Sequence, residues 1–197
     1  AGTAREPGVE NVSARSNADV LRAARELACD LVVIGGEAPL VSGLADELRA
    51  QEMPCFGPSR AAAALEGSKR EAKAFMDRHG VPTARFGVVE TVSGAQEVLD
   101  RLGSRVVVKA DGLAAGKGVI VCSTRAEADK AIQRLLVERE LGDAGASLVI
   151  EERLSGYEVS VLVLTDGVSA QVLPPSRDHK PIGEGDTGPN TGGMGVV

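Results

Sequence analysis

A glycine-rich loop between two valine-rich runs, within residues 105–121, constrains the fold of this chain more than any other segment. Residues 106–108 and 119–121 each predict a short strand, because β-branched apolar runs bounded by turn residues are typical of buried strands. The loop and its edges contain three glycines and two lysines, namely Gly112, Gly116, Gly118, Lys109 and Lys117. Glycine allows a close backbone approach to a ligand and tolerates positive φ. Since lysine adds positive charge, the segment predicts a phosphate site.

The spacing within this loop excludes two common phosphate-binding loops. A P-loop has four residues between its glycines, whereas three residues separate Gly112 from Gly116. A P-loop also has Ser or Thr after its lysine, and here Gly118 follows Lys117. A dinucleotide-binding turn opens a helix, whereas this loop runs into a second strand. We therefore expect a lid that closes over phosphates; an ordinary glycine hairpin with solvated lysines is the alternative.

Composition narrows the class of protein. The 197 residues can bury one large core or two small ones. The formal net charge of -6 argues against nucleic-acid binding, which depends on neutralising phosphates with basic residues. No apolar run reaches the length of a membrane span, and no signal sequence opens the chain. The three cysteines, Cys29, Cys55 and Cys122, form no CxxC pair. Their number and spacing predict a reduced, cytoplasmic environment. With two histidines besides, the chain has no pattern that predicts a zinc site.

The first part of the chain alternates helix and strand. Residues 16–19 supply capping side chains for an amphipathic helix. The predicted order is helix 20–27, strand 31–34, helix 41–50 and strand 53–56. This alternation is typical of a parallel sheet with right-handed connections. A helical segment, 59–79, follows, and we expect an interruption near residues 66–68.

From about Phe86 the pattern changes to α+β. The predicted order is a strand from residue 86, helix 95–102, the two strands of the glycine loop, helix 126–138 and strand 148–151. Residues 157–164 alternate apolar and polar side chains, and we expect them to pair with residues 171–173 around a turn. The tail from Pro174 has little periodicity, which is typical of a disordered or a functional segment.

Two polar segments are candidates for a site beside the loop. Glu151 and Glu158 flank a short connection between strands, where backbone groups can clamp a planar base and a carboxylate can bind ribose hydroxyls. A solvated acidic turn is the alternative. The tail, with Asp178, His179 and a glycine-rich run at 183–195, can wrap a small polar substrate. A flexible linker has a similar composition.

Seven strings of this sequence resemble the phosphoribosylamine-glycine ligase family, also called glycinamide ribonucleotide synthetase, of the ATP-grasp superfamily. They are spread over nearly the whole chain. The strings are GEAPL (36–40), LEGSK (65–69), FMDRHGVPTA (75–84), VVKADGLAAGKGVIV (107–121), GYEVS (156–160), DHK (178–180) and GEGDTGPNTGGMG (183–195). Two departures from the family pattern are Gly36, where proline is usual, and Arg177, where glutamine commonly precedes DHK.

This resemblance implies a fold and a domain organisation. We expect an α/β N-terminal parallel-sheet portion (Rossmann-like, pre-ATP-grasp) followed by an α+β ATP-grasp portion, truncated at both ends. The expected domains are an incomplete N-terminal domain at residues 1–64 and a partial ATP-grasp domain at residues 65–197. Within the second, residues 88–157 would form the small subdomain with the glycine-rich lid, and residues 158–197 would begin the large subdomain.

The resemblance also implies roles for individual residues. Lys69 and Lys109 would contact the phosphates of ATP, with Lys109 also near the adenine. Glu151 and the backbone at Leu154 would bind the adenine edge, and Glu158 the ribose hydroxyls. The lid would consist of Gly112, Gly116, Lys117 and Gly118. The candidates for the glycine and phosphoribosylamine side are Asp178, Asn190, Thr191, Gly192 and Gly193.

The implied reaction is carboxylate activation in de novo purine biosynthesis. ATP would phosphorylate glycine to glycyl phosphate, and the amine of 5-phosphoribosylamine would displace phosphate to give glycinamide ribonucleotide, with ADP as the other product. Positioning and electrostatics would dominate catalysis, with Lys109 and Asp178 as catalytic candidates. The implied cofactors are ATP and Mg2+, with Mn2+ as a substitute. We expect the metal ligands beyond Val197, so the isolated chain would lack turnover.

Other functions stay open at this point. One is a different ATP-grasp carboxylate-amine ligase, and another is a non-catalytic nucleotide-binding module that kept the fold. We expect small-molecule substrates, glycine and 5-phosphoribosylamine, and no nucleic-acid or membrane partner. The resemblance also allows fusion of the parent protein to other purine-biosynthesis enzymes, as in eukaryotic members of the family.

Overall fold

The structure, a computed structural model, describes residues 3–114, 118–185 and 187–197. The chain forms two compact units, Ala1–Ala72 and Lys73–Val197. The first unit has helices around a parallel strand pair, and the second has antiparallel strands with helices. The predicted α/β portion followed by an α+β portion is therefore confirmed.

In the first unit, helices alternate with two short strands. The order is a 3-10 turn Thr3–Arg5, α1 Asn17–Glu26, β1 Val32–Val33, α2 Glu37–Ser42, α3 Leu44–Arg49, β2 Cys55–Phe56, α4 Arg60–Gly67 and α5 Lys69–Arg78, which crosses into the second unit. Strands β1 and β2 are parallel, with Val32 opposite Cys55. Leu21, Leu44 and Leu48 form a small buried core that packs against them.

The predicted helix 41–50 is instead two short helices, because the backbone at Gly43 is left-handed, with a φ of 95°. Glycine adopts this conformation at no steric cost, so it commonly ends a helix. The N–H of Gly43 bonds to the carbonyls of Leu40 and Pro39 at the end of α2. The interruption expected near residues 66–68 is present between α4 and α5.

The described residues of the second unit form one four-stranded antiparallel sheet and two strand pairs. Its elements are β3 Phe86–Val89, α6 Val92–Leu102, β4 Val106–Ala110, β5 Val119–Cys122, α7 Arg125–Ile132, β6 Leu148–Glu152, β7 Val163–Thr165, β8 Ala170–Val172, β9 Asp178–Gly183 and β10 Thr187–Val196. A π turn, Gln133–Val137, extends α7, and a 3-10 turn, Gly142–Gly145, precedes β6. The order in the larger sheet is β3-β6-β4-β5.

Helices α6 and α7 pack against one face of the four-stranded sheet and form an apolar core with it. Leu99 of α6, Ile132 of α7 and Val108 of β4 belong to one buried cluster. Helix α6 lies so close to β3 that a Cβ added at Gly87 would be 2.4 Å from Cγ2 of Val98. This packing fixes the sheet and leaves the side chains of its opposite face outside the cluster.

Two predictions for the C-terminal part of the chain are wrong. The strand predicted at 157–164 is shorter and shifted, since the segment that pairs with β8 is Val163–Thr165, while Ser160 makes an isolated bridge to Ser176. The tail, for which the sequence predicts no regular structure, contains the antiparallel pair of β9 and β10. Strand pairing uses backbone N–H and C=O groups, which a glycine-rich segment offers without an apolar side-chain pattern.

Candidate functional site

The face of the four-stranded sheet opposite α6 and α7 carries two charged side chains among apolar ones. Side chains alternate along a strand, so Val107 and Lys109 of β4 share this face. The strand pairing puts Glu151 of β6 between Val107 of β4 and Phe86 of β3. Val149, two residues earlier in β6, is fully buried but lies outside the cluster on the helix side. The register thus places Lys109 and Glu151 on one largely apolar surface.

Glu151 lies between two lysines. Its Oε2 is 2.6 Å from Nζ of Lys73, and its Oε1 pairs with Lys109. The side chains of Glu151 and Lys73 are 9% and 10% exposed, whereas that of Lys109 is 26% exposed. We call these three residues the carboxylate cluster. Two ammonium groups and one carboxylate leave a net positive charge, which favours an anionic ligand.

Lys73 reaches the carboxylate cluster from α5 and is held by several groups. Its Nζ donates hydrogen bonds to Oγ1 of Thr83 at 2.7 Å and to the carbonyl of Ala84 at 3.5 Å. It also lies 5.3 Å from the centre of the Phe86 ring. An ammonium group has three N–H donors, and Glu151, Thr83 and Ala84 accept all three.

The sequence patterns do not single out Lys73, because it falls between two family-like strings, 65–69 and 75–84. One signal could have found it. Lys69 and Lys73 are four residues apart in α5, so their side chains lie on the same side of the helix. Lys69 is the first residue of α5 and is half-buried. Its contact with phosphates stays a prediction.

The two lysines determine the charge of Glu151. Burial alone would raise the pKa of this carboxyl, since the charged form loses its hydration. Hydrogen bonds from Lys109 and Lys73 outweigh burial and hold the pKa below its ordinary value of 4.5. Glu151 is therefore ionised at neutral pH and acts only as a hydrogen-bond acceptor.

Part of the glycine loop between β4 and β5, including the predicted lid residues Gly116 and Lys117, lies outside the described residues. The two described glycines of the loop, Gly112 and Gly118, have no left-handed φ. A Cβ at Gly112 would lie 3.0 Å from that of Ala144, and one at Gly118 would lie 2.9 Å from an alanine of the same loop. These two glycines therefore allow the protein to pack closely on itself, and the positive φ suggested by the sequence is wrong for them.

The predicted base and ribose contacts follow β6. The side chain of Leu154 is exposed. Glu158 is 67% exposed and pairs with Lys180 of β9, whose Nζ is also 3.5 Å from Oδ2 of Asp178. The hydrogen bond with Glu158 raises the pKa of Lys180. Lys180 thus brings the predicted ribose residue together with a predicted substrate residue.

The predicted substrate residues fall on the hairpin of β9 and β10. The hydroxyl of Thr191 donates to the carbonyl of Lys180 at 2.8 Å, and the N–H of Gly193 donates to that hydroxyl at 3.0 Å. Gly193 has a φ of 124°, and a Cβ there would lie 3.3 Å from Oδ1 of Asp178. Two further candidates lie in the same strand, Asn190 and Gly192. The side chain of Asn190 lies outside the described part of the chain.

Within residues 3–114, 118–185 and 187–197, no three His, Cys, Asp or Glu side chains are grouped so that they could hold a metal ion. The described residues therefore assign no metal ligand. Over the same ranges, no helix combines the length and the apolar character needed to cross a membrane.

Two family models match the chain from end to end. Residues 1–66 match the phosphoribosylglycinamide synthetase N domain, and residues 67–197 match the phosphoribosylglycinamide synthetase ATP-grasp (A) domain. The phosphoribosylamine--glycine ligase of Allochromatium vinosum is 50% identical over 197 residues, and that of Rhodopirellula baltica is 51% identical over 183 residues. The alignments cover 99% and 90% of this chain but 46% and 42% of the relatives. The chain thus spans about half the length of the curated relatives it matches.

Two solved structures are similar to this chain, one at higher and one at lower sequence identity. The crystal structure of phosphoribosylamine--glycine ligase from Thermotoga maritima has a TM-score of 0.73 and 36% identity, and the match covers 87% of this chain and 43% of that one. The biotin carboxylase of Campylobacter jejuni, solved as a β-γ-ATP complex, has a TM-score of 0.71 and 19% identity, covering 84% of this chain and 38% of that one. At 19% identity the second match shows a shared fold alone.

Proposed function

Since this chain belongs to the phosphoribosylglycinamide synthetase family, we propose that it supplies the ATP site of a phosphoribosylamine-glycine ligase. The observation that carries this proposal is the carboxylate cluster, which joins a buried carboxylate and two lysines on a largely apolar sheet face. Apolar side chains suit the faces of a purine, an acceptor suits its amino group, and lysine suits phosphate. The carboxylate cluster and the apolar sheet face around it together offer all three.

The adenine would lie against the sheet face at Val107, which is partly exposed. Glu151 would accept a hydrogen bond from the 6-amino group, because its ionised carboxylate is acceptor-only. The backbone at Leu154 would pair with the ring edge. Lys109 would move from Glu151 to the phosphates, since it is the more exposed lysine of the cluster.

The ribose and the remaining phosphate contacts would come from other segments. Glu158 would accept hydrogen bonds from the ribose hydroxyls in exchange for its pairing with Lys180. Lys69 would contact phosphate oxygens. The loop at 112–118, with Lys117, would close over the triphosphate as a lid.

We propose glycine and 5-phosphoribosylamine as the substrates. The γ-phosphoryl group would pass to a carboxylate oxygen of glycine, releasing ADP. The amine of phosphoribosylamine would then attack the carbonyl carbon of glycyl phosphate, so that a C–N bond forms, phosphate leaves and the amine loses a proton. Lys109 would offset phosphate charge, and Asp178, beside Gly193 of β10, would bind a substrate amino group.

Four further points belong to the same proposal. Mg2+, or Mn2+ in its place, would add positive charge at the phosphates. The domains would be residues 1–64 and 65–197. Two observations support a boundary there: the family models meet after residue 66, and the first compact unit ends at Ala72.

The protein would work in the cytoplasm. The parent protein would tolerate fusion to other purine-biosynthesis enzymes.

Removing the Lys109 ammonium tests the proposal. Lys109→Ala should weaken ATP binding about 10- to 100-fold, because a hydrogen bond to a charged group contributes about 1.5–3 kcal/mol. The matched control is Lys130→Ala, which removes an exposed lysine from α7 on the helix side of the sheet. Titration calorimetry on the protein measures both. Equal ATP affinity in the two variants would contradict the ATP site.

A further inference from the structure

The two lysines of the carboxylate cluster are held differently. The three donors of Lys73 are all accepted, by Glu151, Thr83 and Ala84, and its side chain is 10% exposed. Lys109 is 26% exposed, and among the described residues its ammonium has one ion pair, with Glu151. Lys109 can therefore leave by breaking one contact, whereas Lys73 would have to break three.

A buried carboxylate needs a cation beside it. Removing one partner of a buried ion pair leaves an uncompensated charge, which is strongly unfavourable. Glu151, with a side chain 9% exposed, would lose one of its two lysine partners whenever Lys109 turned to a phosphate. Lys73 would then still be in contact with Glu151, 2.6 Å away, and would compensate its charge.

We propose that Lys73 is a positioning residue, which keeps Glu151 ionised and oriented when bound ATP draws Lys109 to its phosphates. This inference rests on the proposed ATP site. Lys73 acts through Glu151 and leaves the nucleotide untouched, because its three donors are already used within the protein. In the exchange, Lys109 is the mobile cation and Lys73 the fixed one.

The fixed lysine determines which purine the site accepts. An ionised Glu151 accepts a hydrogen bond from a 6-amino group and repels a 6-oxo group, which is itself an acceptor. Without Lys73, burial would favour the protonated carboxyl, and a protonated carboxyl can donate to a 6-oxo group. Lys73 therefore sets the preference for ATP over inosine triphosphate, which carries oxygen in place of that amino group.

The first test compares these two nucleotides. In the full-length protein, Lys73→Met should weaken ATP binding and lower the ratio of ATP to inosine triphosphate affinity, each by at least about 10-fold. The control is Lys130→Met, which should leave the ratio unchanged because Lys130 is exposed on α7. Calorimetry gives both affinities. An unchanged ratio in a folded Lys73→Met variant overturns the proposal, since a purely structural role would weaken both nucleotides alike.

A double-mutant cycle tests whether Lys73 acts through Glu151. Once Glu151→Gln has removed the charge, adding Lys73→Met should change ATP affinity by less than about 2-fold, because coupled residues are not additive. Independent, additive losses would contradict the proposal.

A third variant covers the case in which Lys73→Met does not fold. Thr83→Val keeps the ammonium but removes the 2.7 Å hydrogen bond that orients it. It should lower the ATP preference in the same direction by a smaller factor, and an unchanged preference overturns the inference. If the wild-type protein fails to bind ATP, the proposed function itself fails. If wild type binds ATP and Glu151→Gln weakens it while Lys73→Met binds normally, the role of Lys73 alone is wrong.

Discussion

The four-stranded sheet and the hairpin of β7 and β8 both contain apolar strand residues, but their environments are opposite. In β4, alternate residues are fully buried, with Val106 and Val108 in the core. In β7 and β8, every residue is exposed, including Val163 and Leu164. An apolar run predicts the strand in the first region, and an alternating pattern at residues 157–164 predicts one in the second. Burial depends on a second layer, which α6 and α7 provide for the larger sheet.

The largest difference between the two regions should appear when matched leucines are truncated. Leu99→Ala should reduce the free energy of unfolding by about 2–5 kcal/mol, because it leaves a cavity in the core. Leu164→Ala, at a leucine 44% exposed, should change it by no more than about 0.5 kcal/mol. Urea unfolding measures both. Similar losses would show that β7 is packed in solution and would break the comparison.

A smaller difference is expected for two glycines. Gly87→Ala should cost about 1–3 kcal/mol, because its Cβ would overlap with Val98 on α6. Gly195→Ala in the β9-β10 hairpin should cost no more than about 0.5 kcal/mol, since no heavy atom lies within 4 Å of the added Cβ. Thermal unfolding of the two variants measures both losses of stability. A neutral Gly87→Ala would mean that α6 can move away from β3.

Two threonine hydroxyls provide a finer comparison. Thr91 caps α6 by accepting a hydrogen bond from the N–H of Gly94, so Thr91→Ala should cost about 1 kcal/mol. Thr165 accepts a similar bond from the N–H of Gly167 in the exposed hairpin. Thr165→Ala should cost less than about 0.5 kcal/mol, because this turn supports no buried layer. Amide hydrogen exchange should show a local opening in the hairpin and a global change for the helix cap. A larger loss of stability for Thr165→Ala than for Thr91→Ala would contradict the comparison of the packed sheet with the exposed hairpin.

The smallest effect concerns pH. The lowered pKa of Glu151 means that its ionised form stabilises the folded state above pH 4.5, and that this contribution is lost as pH falls through the folded-state pKa. Burial opposes the lysines, so the net effect should be modest. Glu151→Gln should flatten the acid limb of a stability-against-pH curve. An acid limb identical in slope to that of the wild type would show that the cluster does not titrate as described.

Lys180, in the hairpin of β9 and β10, predicts a change of stability with pH that has the opposite sign and occurs at alkaline pH. Its pKa is raised by Glu158, so its contribution is present below pH 10.5 and is lost as pH rises through the folded-state pKa. Lys180→Met should flatten that alkaline limb. Because the side chain is 40% exposed, solvent screening should keep the effect small.

The order of helices and strands was predictable wherever local pattern and tertiary packing agree. The strands at 106–110 and 148–152 follow apolar runs that the core then buries. The division at Gly43 was missed, because an apolar helical pattern continues across a glycine that ends one helix and begins another. The pairing of β9 with β10 was missed because backbone hydrogen bonds leave no mark on a glycine-rich sequence.

The candidate site was predictable in part. Lys109 and Glu151 fall in recognisable strings, and the strand register places them together. Lys73 joins them from a helix distant in sequence, and its burial follows from contacts with Thr83 and Phe86 that no local pattern encodes. Family-like strings identify segments of the sequence, whereas the partner of a charged group depends on the folded arrangement.

The sheet order β3-β6-β4-β5 has a consequence for how this unit folds. Strand β6 is the last of the four to be synthesised, yet it lies between β3 and β4 and pairs with both. A nascent chain that has emerged only as far as α7 therefore holds the β4-β5 hairpin and an unpaired β3. Closing the long loop back to β3 costs chain entropy before any contact forms. We expect β6 pairing to limit the folding rate, and Glu151 arrives with that strand.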